Sequence, residues 1–329
     1  MKAQILRQWG GADQFEPADL PTPALRPGCV LIEVAATSLN PIDVKIRNGL
    51  PIGPELPAIL GADVSGTVVA VAPDVDAFAP GDAVFGCAGG VRGQDGALAQ
   101  MMVADARLLA RAPRSIALTD AAALPLVSIT AWDALERIGS AEGDHLLVQG
   151  ALGGVGHIAV QLAKARGAKV AATVTRDADI DQALALGADA AVNGRVETAK
   201  AFAERLTGGR GFDAVVDTVG AEQITAALEA VKTHGQVVTT NARHVQDLAL
   251  LHAKALSLHA VFMLLPMLTG EGRERHGRIL AKIAELVDQG KLKPLLNARR
   301  FSLATVADAH RCYEARDFKG KILIEIGAS

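Results

Sequence analysis

The segment Gly150-Ala-Leu-Gly-Gly-Val-Gly156 constrains this chain more than any other. An apolar run, His145-Leu-Leu-Val-Gln149, precedes it. Val155, Ile158, Leu162 and Arg166 follow at helical spacing, and Gly167 closes that stretch. Strand, glycine turn and helix in this order make a seat for phosphate. Bare main chain approaches closely there, and a helix N-terminus offers N–H groups and positive potential. Gly153 and Gly154 clear the approach, and Gly156 lets the helix pack on the strand. Ala151 stands where G-x-G-x-x-G has its first glycine, so a tight turn that binds nothing is the competing reading.

The pattern around the turn supports a nucleotide fold. Strands are expected at Lys169–Val174, Ala190–Val192, Phe212–Asp217, Gln236–Thr240 and Ser257–Met263, with helices over 178–186, 197–206 and 221–232. With His145–Gln149 this makes six strands separated by helices, the pattern of a doubly wound parallel sheet.

Residues 1 to about 120 differ in texture. Short apolar runs, such as Cys29–Ala35 and Val64–Ala72, alternate with Pro- and Gly-rich turns, as in a β-barrel. The tail carries an amphipathic helix marked by Ile279, Ile283, Leu286 and Val287, stopped by Gly290, then a strand at Lys321–Ile326. That strand could return to the first domain.

Composition narrows the function. The 329 residues are 50% hydrophobic and only 3% aromatic, which suits two domains with aliphatic cores. A net charge of −3 supplies no basic field for nucleic acid. Cys29, Cys87 and Cys312 are few and scattered, which points to a reducing, cytoplasmic setting. The apolar stretch Leu248–Leu268 contains His252, Lys254, His259 and Pro266 and reads as buried structure, not a membrane span.

The second strand of the nucleotide fold ends Thr173-Val-Thr-Arg176. An NAD site usually places a carboxylate about 20 residues beyond the glycine turn to hold the ribose 2′-hydroxyl. Thr175 and Arg176 favour a 2′-phosphate instead, hence NADP(H), although Asp177, Asp179 and Asp181 follow closely.

Several further segments give the chain its likeness. They are Ser38-Leu-Asn-Pro-Ile-Asp43, Gly61-Ala-Asp-Val-Ser-Gly66, Ala79-Pro-Gly-Asp82, Ala122-Ala-Leu-Pro-Leu126, Thr130-Ala-Trp-Asp-Ala-Leu135 and Gly153 to Lys164. On these the chain resembles, nearly end to end, the zinc-free quinone oxidoreductase and enone reductase branch of the medium-chain dehydrogenase/reductase superfamily. The resemblance implies an α/β protein with a discontinuous GroES-like β-barrel catalytic domain, residues 1–122 and 264–329. A Rossmann domain, residues 123–263, would lie between those segments and carry the six-stranded sheet. It implies a homodimer through the Rossmann sheet edge. Asn40 and Thr130 match positions near the nicotinamide. Gly153, Gly154 and Val155 match the pyrophosphate turn, and Thr175 and Arg176 the adenosine phosphate. Asp217, Thr218, Val219 and Gly220 border the cofactor; Thr240, Asn241, Phe262 and Met263 are looser matches at the ends of the fifth and sixth strands.

Zinc-dependent relatives carry Cys and Gly-His-Glu where this chain reads Leu39-Asn40 and Gly61-Ala62-Asp63, so no metal is expected. The activity expected is NADPH-dependent reduction of a quinone or α,β-unsaturated carbonyl by hydride transfer. A metal-free NADP-dependent alcohol or carbonyl dehydrogenase and a non-catalytic NADPH-binding protein are the alternatives. Asn40 is the candidate to orient cofactor or substrate. Lys45 either stabilises the oxyanion or passes a proton, directly or through water, or else is a solvated surface lysine. His157, Cys87 and Asp43 read more simply as local structure.

Overall fold

The computed structural model describes residues 1–327. Its contacts divide it into two compact units, Met1–Ile129 with Leu264 onward, and Thr130–Met263. The first holds strands β1 (Lys2–Leu6), β2 (Phe15–Asp19), β3 (Cys29–Ser38), β4 (Asp63–Val71), β5 (Ala83–Cys87), β6 (Met101–Asp105) and β7 (Leu109–Arg111). The second holds β8 (His145–Gln149), β9 (Lys169–Val174), β10 (Ala190–Asn193), β11 (Phe212–Asp217), β12 (Val231–Thr239) and β13 (Ser257–Ala260). Strands β14 (Leu296–Ser302) and β15 (Lys321–Glu325) belong to the first unit again.

In the first unit, seven strands form one sheet in the order β14-β15-β3-β4-β5-β7, with β6 on the other part of β3. Strand β15 returns from the end of the chain to lie antiparallel to β3, pairing Leu323 with Ser38 and Glu325 with Ala36. It returns because Ile322, Leu323 and Ile324 form an unbroken apolar run that only an interior strand position can bury. Gly66 makes the β3–β4 pairing close. A Cβ there would lie 2.2 Å from the Glu33 carbonyl oxygen.

The second unit is the doubly wound sheet, ordered β10-β9-β8-β11-β12-β13 with every neighbouring pair parallel. The chain thus has a GroES-like unit and a Rossmann unit. On one face Leu147, Ala171, Val215 and Val237 pack against Phe202, Ile224, Ala227 and Leu228. Phe202 and Phe212 meet edge-on at 6.2 Å. A doubly wound fold of this kind binds ligands at the carboxyl ends of its strands.

Some boundaries differ from the sequence expectation. The sixth strand stops at Ala260, not Met263, because its partner β12 ends at Thr239 and offers no further ladder. Phe262 and Met263 therefore lie beyond the sheet. The fifth strand begins at Val231, and the preceding helix, Glu222–Ala230, is shorter than expected because Val231 is already extended. The expected helix over 178–186 is a 3₁₀ turn, Asp177–Asp179, followed by helix Ile180–Ala185.

Candidate functional site

In the Rossmann unit, the glycine turn is sewn to the neighbouring strand. The Ala151 N–H donates to the Thr173 carbonyl at 3.0 Å, and Gly150 N–H to the Thr173 hydroxyl at 3.2 Å. Gly150 has φ +74°, a left-handed conformation suited to glycine. Gly153 caps helix Gly154–Ala165, whose first-turn N–H groups lack intrahelical partners. A Cβ on Gly156 would stand 2.1 Å from the Gly150 carbonyl oxygen. Gly153 is exposed, and Gly154 and Val155 are half-buried, so an anion has access to this main chain. His157 is fully buried in the helix, with Nδ1 2.9 Å from the Gly153 oxygen.

Asp217, at the end of β11, is buried and spent on shaping the next turn. Its Oδ1 accepts from Val219 N–H and Gly220 N–H, both at 2.9 Å, and Oδ2 accepts from the Thr239 hydroxyl at 2.7 Å. The Thr218 hydroxyl donates to the Gln149 carbonyl at 2.7 Å, which ties this turn to the end of β8. Thr240 N–H donates to the Asp217 carbonyl, and Asn241 Nδ2 to the Val219 carbonyl. Thus Asp217, Thr218, Val219, Gly220, Thr240 and Asn241 form one cross-linked rim beside the glycine turn. Thr130 is buried near the start of this unit. Phe262 is exposed and Met263 buried, both beyond the rim.

At the end of β9, Thr175 and Arg176 are exposed. Arg176 is not a free cation. Its guanidinium grips buried Asp179, Nε to Oδ2 at 2.8 Å and Nη2 to Oδ1 at 3.3 Å.

The GroES-like unit contains a buried charged cluster that sequence reading missed. Lys321, at the start of β15, is almost wholly buried and lies 3.7 Å from the carboxylate of fully buried Asp63. Its Nζ also donates to Asn40 Oδ1 and to the Leu39 carbonyl. Asp63 Oδ2 accepts from Ser38 Oγ at 2.7 Å and Asn40 Nδ2 at 2.8 Å, and Oδ1 accepts from Leu126 N–H at 2.8 Å. Burial raises the Asp63 pKa and lowers that of Lys321; each opposes the other's shift by their mutual attraction. The clue in sequence is a lysine leading directly into an apolar strand, a place where a charge survives only if paired.

Asn40 is therefore buried within the cluster: Nδ2 donates to Ser38 O and Asp63, and Oδ1 accepts from Lys321. Both of its amide hydrogens are committed, and the residue has no exposure. Lys45 projects from the exposed side of helix Pro41–Arg47, between buried Val44 and Ile46. Asp43 Oδ2 accepts from Asn40 N–H and Oδ1 from Ala62 N–H, locking the start of that helix to the Gly61–Asp63 segment.

Asp43 and His310 line one small cavity. Burial pushes the Asp43 pKa up to about 7, and burial followed by the Arg47 charge pushes that of His310 down to about 3. Asp43 thus contributes stability that is complete below about pH 4 and lost as pH rises through about 7. His310 acts oppositely. Its unfolded form binds a proton below about pH 6.5 that the native form refuses, so stability falls as pH falls from there toward about 3. In His310→Phe the ring contact with Phe15, 4.8 Å between centroids, is retained in kind. Its stability relative to the parent should rise as pH drops from about 7 to about 5, by up to about 1.4 kcal/mol per pH unit. Urea unfolding at several pH values checks this; a pH-independent difference would show that His310 titrates normally.

Comparison with known proteins places this geometry. Residues 26–114 match the alcohol dehydrogenase GroES-like domain, and residues 186–324 match the family described as zinc-binding dehydrogenase. An alcohol dehydrogenase superfamily protein from Novosphingobium aromaticivorans is 41% identical with TM-score 0.94, over 99% of each chain. The 2-methylene-furan-3-one reductase of Solanum lycopersicum is 30% identical, covering 98% of this chain and 79% of the relative. A mycobacterial protein solved with NADPH is 28% identical with TM-score 0.87, covering 99% of this chain and 100% of that one. The chain belongs to the quinone oxidoreductase branch of the medium-chain dehydrogenase/reductase superfamily, a family of nicotinamide-dependent oxidoreductases.

Zinc does not fit the donors present. The segments Leu39–Asn40 and Gly61–Asp63 offer no thiolate or imidazole, and the Asp63 carboxylate already bears three hydrogen-bond donors and an ammonium. Among the described residues no group of three or more His, Cys, Asp or Glu could hold a metal ion.

Proposed function

We propose that this protein reduces a quinone or an α,β-unsaturated carbonyl with NADPH and without zinc. The buried Lys321–Asp63–Asn40 cluster supports the metal-free reading, because its polar groups satisfy one another and leave no convergent donors for zinc. With no Lewis acid to polarise a simple ketone, a conjugated acceptor is the fitting substrate, since its incoming charge delocalises onto oxygen. The reductase of tomato named above offers a parallel in its furanone substrate.

NADPH fits the second unit. Gly153, Gly154 and Val155 would hold the pyrophosphate, and the rim from Asp217 to Gly220 with Thr240 and Asn241 would flank the cofactor's other half. Thr175 and the neighbourhood of Arg176 would receive the adenosine phosphate. When bound, the nicotinamide supplies hydride. Asn40, held from both ends of its amide, fixes the Ser38–Asp43 segment and is a positioning residue. Lys45 is a candidate to hydrogen-bond the developing oxyanion; its exposure fits a mobile donor.

NADPH oxidation should proceed with quinones and alkenals, be slow with simple ketones, be weaker with NADH and be indifferent to chelator. Activity lost to chelator and restored by zinc would end the metal-free reading.

A homodimer through the edge of the Rossmann sheet is part of the same proposal. Strand β13 is that edge, and its Leu258 is exposed. A monomer in light scattering would remove it. No helix is long and apolar enough to cross a membrane among the described residues. Three unpaired cysteines support a reducing, cytoplasmic setting.

A further inference from the structure

Arg176 looks like the phosphate-binding cation in sequence, yet its fork is already closed on Asp179, a buried carboxylate. A cation so engaged has lost much of its pull on a second anion. The neighbouring strand end supplies another. Strand β10 runs parallel to β9 with Asn193 opposite Val174, and Gly194 N–H donates to the Val174 carbonyl at 2.9 Å. Residue 195 therefore leaves the sheet beside Thr175 and Arg176. Gly194 puts no side chain between the two strand ends.

The acids around Arg195 are occupied. Asp177 Oδ1 accepts from Asn193 Nδ2 at 2.9 Å, and Asp179 holds Arg176. Glu197, two residues on, takes both arms of Arg205, at 3.0 and 2.7 Å. Asp181 lies farther along, inside helix Ile180–Ala185. Asn193 also sets the local turn, since its Oδ1 accepts from Arg195 N–H at 3.0 Å. The Arg195 side chain is exposed and makes no hydrogen bond or ion pair among the described residues. One amide thus ties down Asp177 and the Arg195 backbone together, leaving a free guanidinium at the edge of the site.

We propose that Arg195, more than Arg176, recognises the 2′-phosphate of the adenosine ribose and sets the preference for NADPH over NADH. This rests on the NADPH reading above. Arg195 has five N–H donors free for a dianion, whereas Arg176 must first loosen from Asp179.

Fluorescence titration with NADPH and with NADH, on the parent, Arg195→Gln and Arg176→Gln, tests the assignment. The parent should bind NADPH more tightly. Arg195→Gln should weaken NADPH about tenfold or more and leave NADH unchanged, while Arg176→Gln should weaken NADPH only about threefold or less. A parent that prefers NADPH, with Arg195→Gln binding it as well as before or Arg176→Gln causing the larger loss, overturns the assignment and leaves the NADPH reading standing. A parent without preference for NADPH overturns the cofactor reading itself.

Discussion

Gly156→Ala should lower stability by about 3 kcal/mol and weaken dinucleotide binding on the order of a hundredfold. The new Cβ would stand 2.1 Å from the Gly150 oxygen, 2.8 Å from its carbonyl carbon and 3.0 Å from the Ala151 Cα. All three are main-chain atoms, so no flexible side chain can yield. The helix must shift off the turn, and the turn is itself anchored to Thr173. Gly153→Ala separates the two effects. Its Cβ would meet the Gly150 oxygen at 3.2 Å, and Gly153 already has an ordinary φ of −74°. That variant should fold nearly normally yet bind the cofactor poorly, because the methyl group stands where a phosphate must approach. Thermal unfolding paired with NADPH titration checks both. Equal affinity in all three proteins would mean that the pyrophosphate does not rest there.

Lys321→Met should destabilise the protein by about 3–5 kcal/mol, the usual cost of stranding one member of a buried ion pair. Asp63 would keep its three hydrogen bonds but lose the neighbouring Lys321 ammonium, at a position with no exposure to water. Asn40 would lose the donor to its Oδ1. Adding Asp63→Asn should recover part of the loss by removing the stranded charge. The recovery is incomplete, because an amide nitrogen cannot accept from Ser38 and Asn40 as a carboxylate does. Denaturant unfolding of the two variants, against Asp63→Asn alone, gives the coupling energy as a double-mutant cycle. A Lys321→Met protein as stable as the parent would show that the pair is not held as ions.

Much of the fold is legible in the sequence where burial and punctuation agree. His145–Gln149, Lys169–Val174 and Phe212–Asp217 fall where expected because each is an apolar run bounded by turns or helices. The ends of β12 and β13 were not legible. A strand ends where its partner ends, and pairing is a tertiary fact. Helix Pro125–Arg137 is apolar round most of its circumference and lacks a one-faced period, so periodicity does not mark it. Strand β14, Leu296–Ser302, carries Arg299 and Arg300 mid-run and reads as loop.

The site divides in the same way. The glycine turn is local, so its strand–turn–helix geometry could be read from consecutive residues. The Lys321–Asn40 contact joins residues 281 positions apart, and no spacing rule reaches across that distance. Asn40 was singled out by its segment, but only the structure shows its amide spent inside the cluster. Arg176 gave a different lesson. Asp179 stands three residues on, within reach of the guanidinium, and the sequence already held the ion pair that weakens its claim to a phosphate.

Direct titration of the purified protein with NADPH, followed by nicotinamide fluorescence, bears most closely on the account. Saturable binding that Gly156→Ala largely abolishes is the expected result. Failure to bind either NADPH or NADH would contradict it.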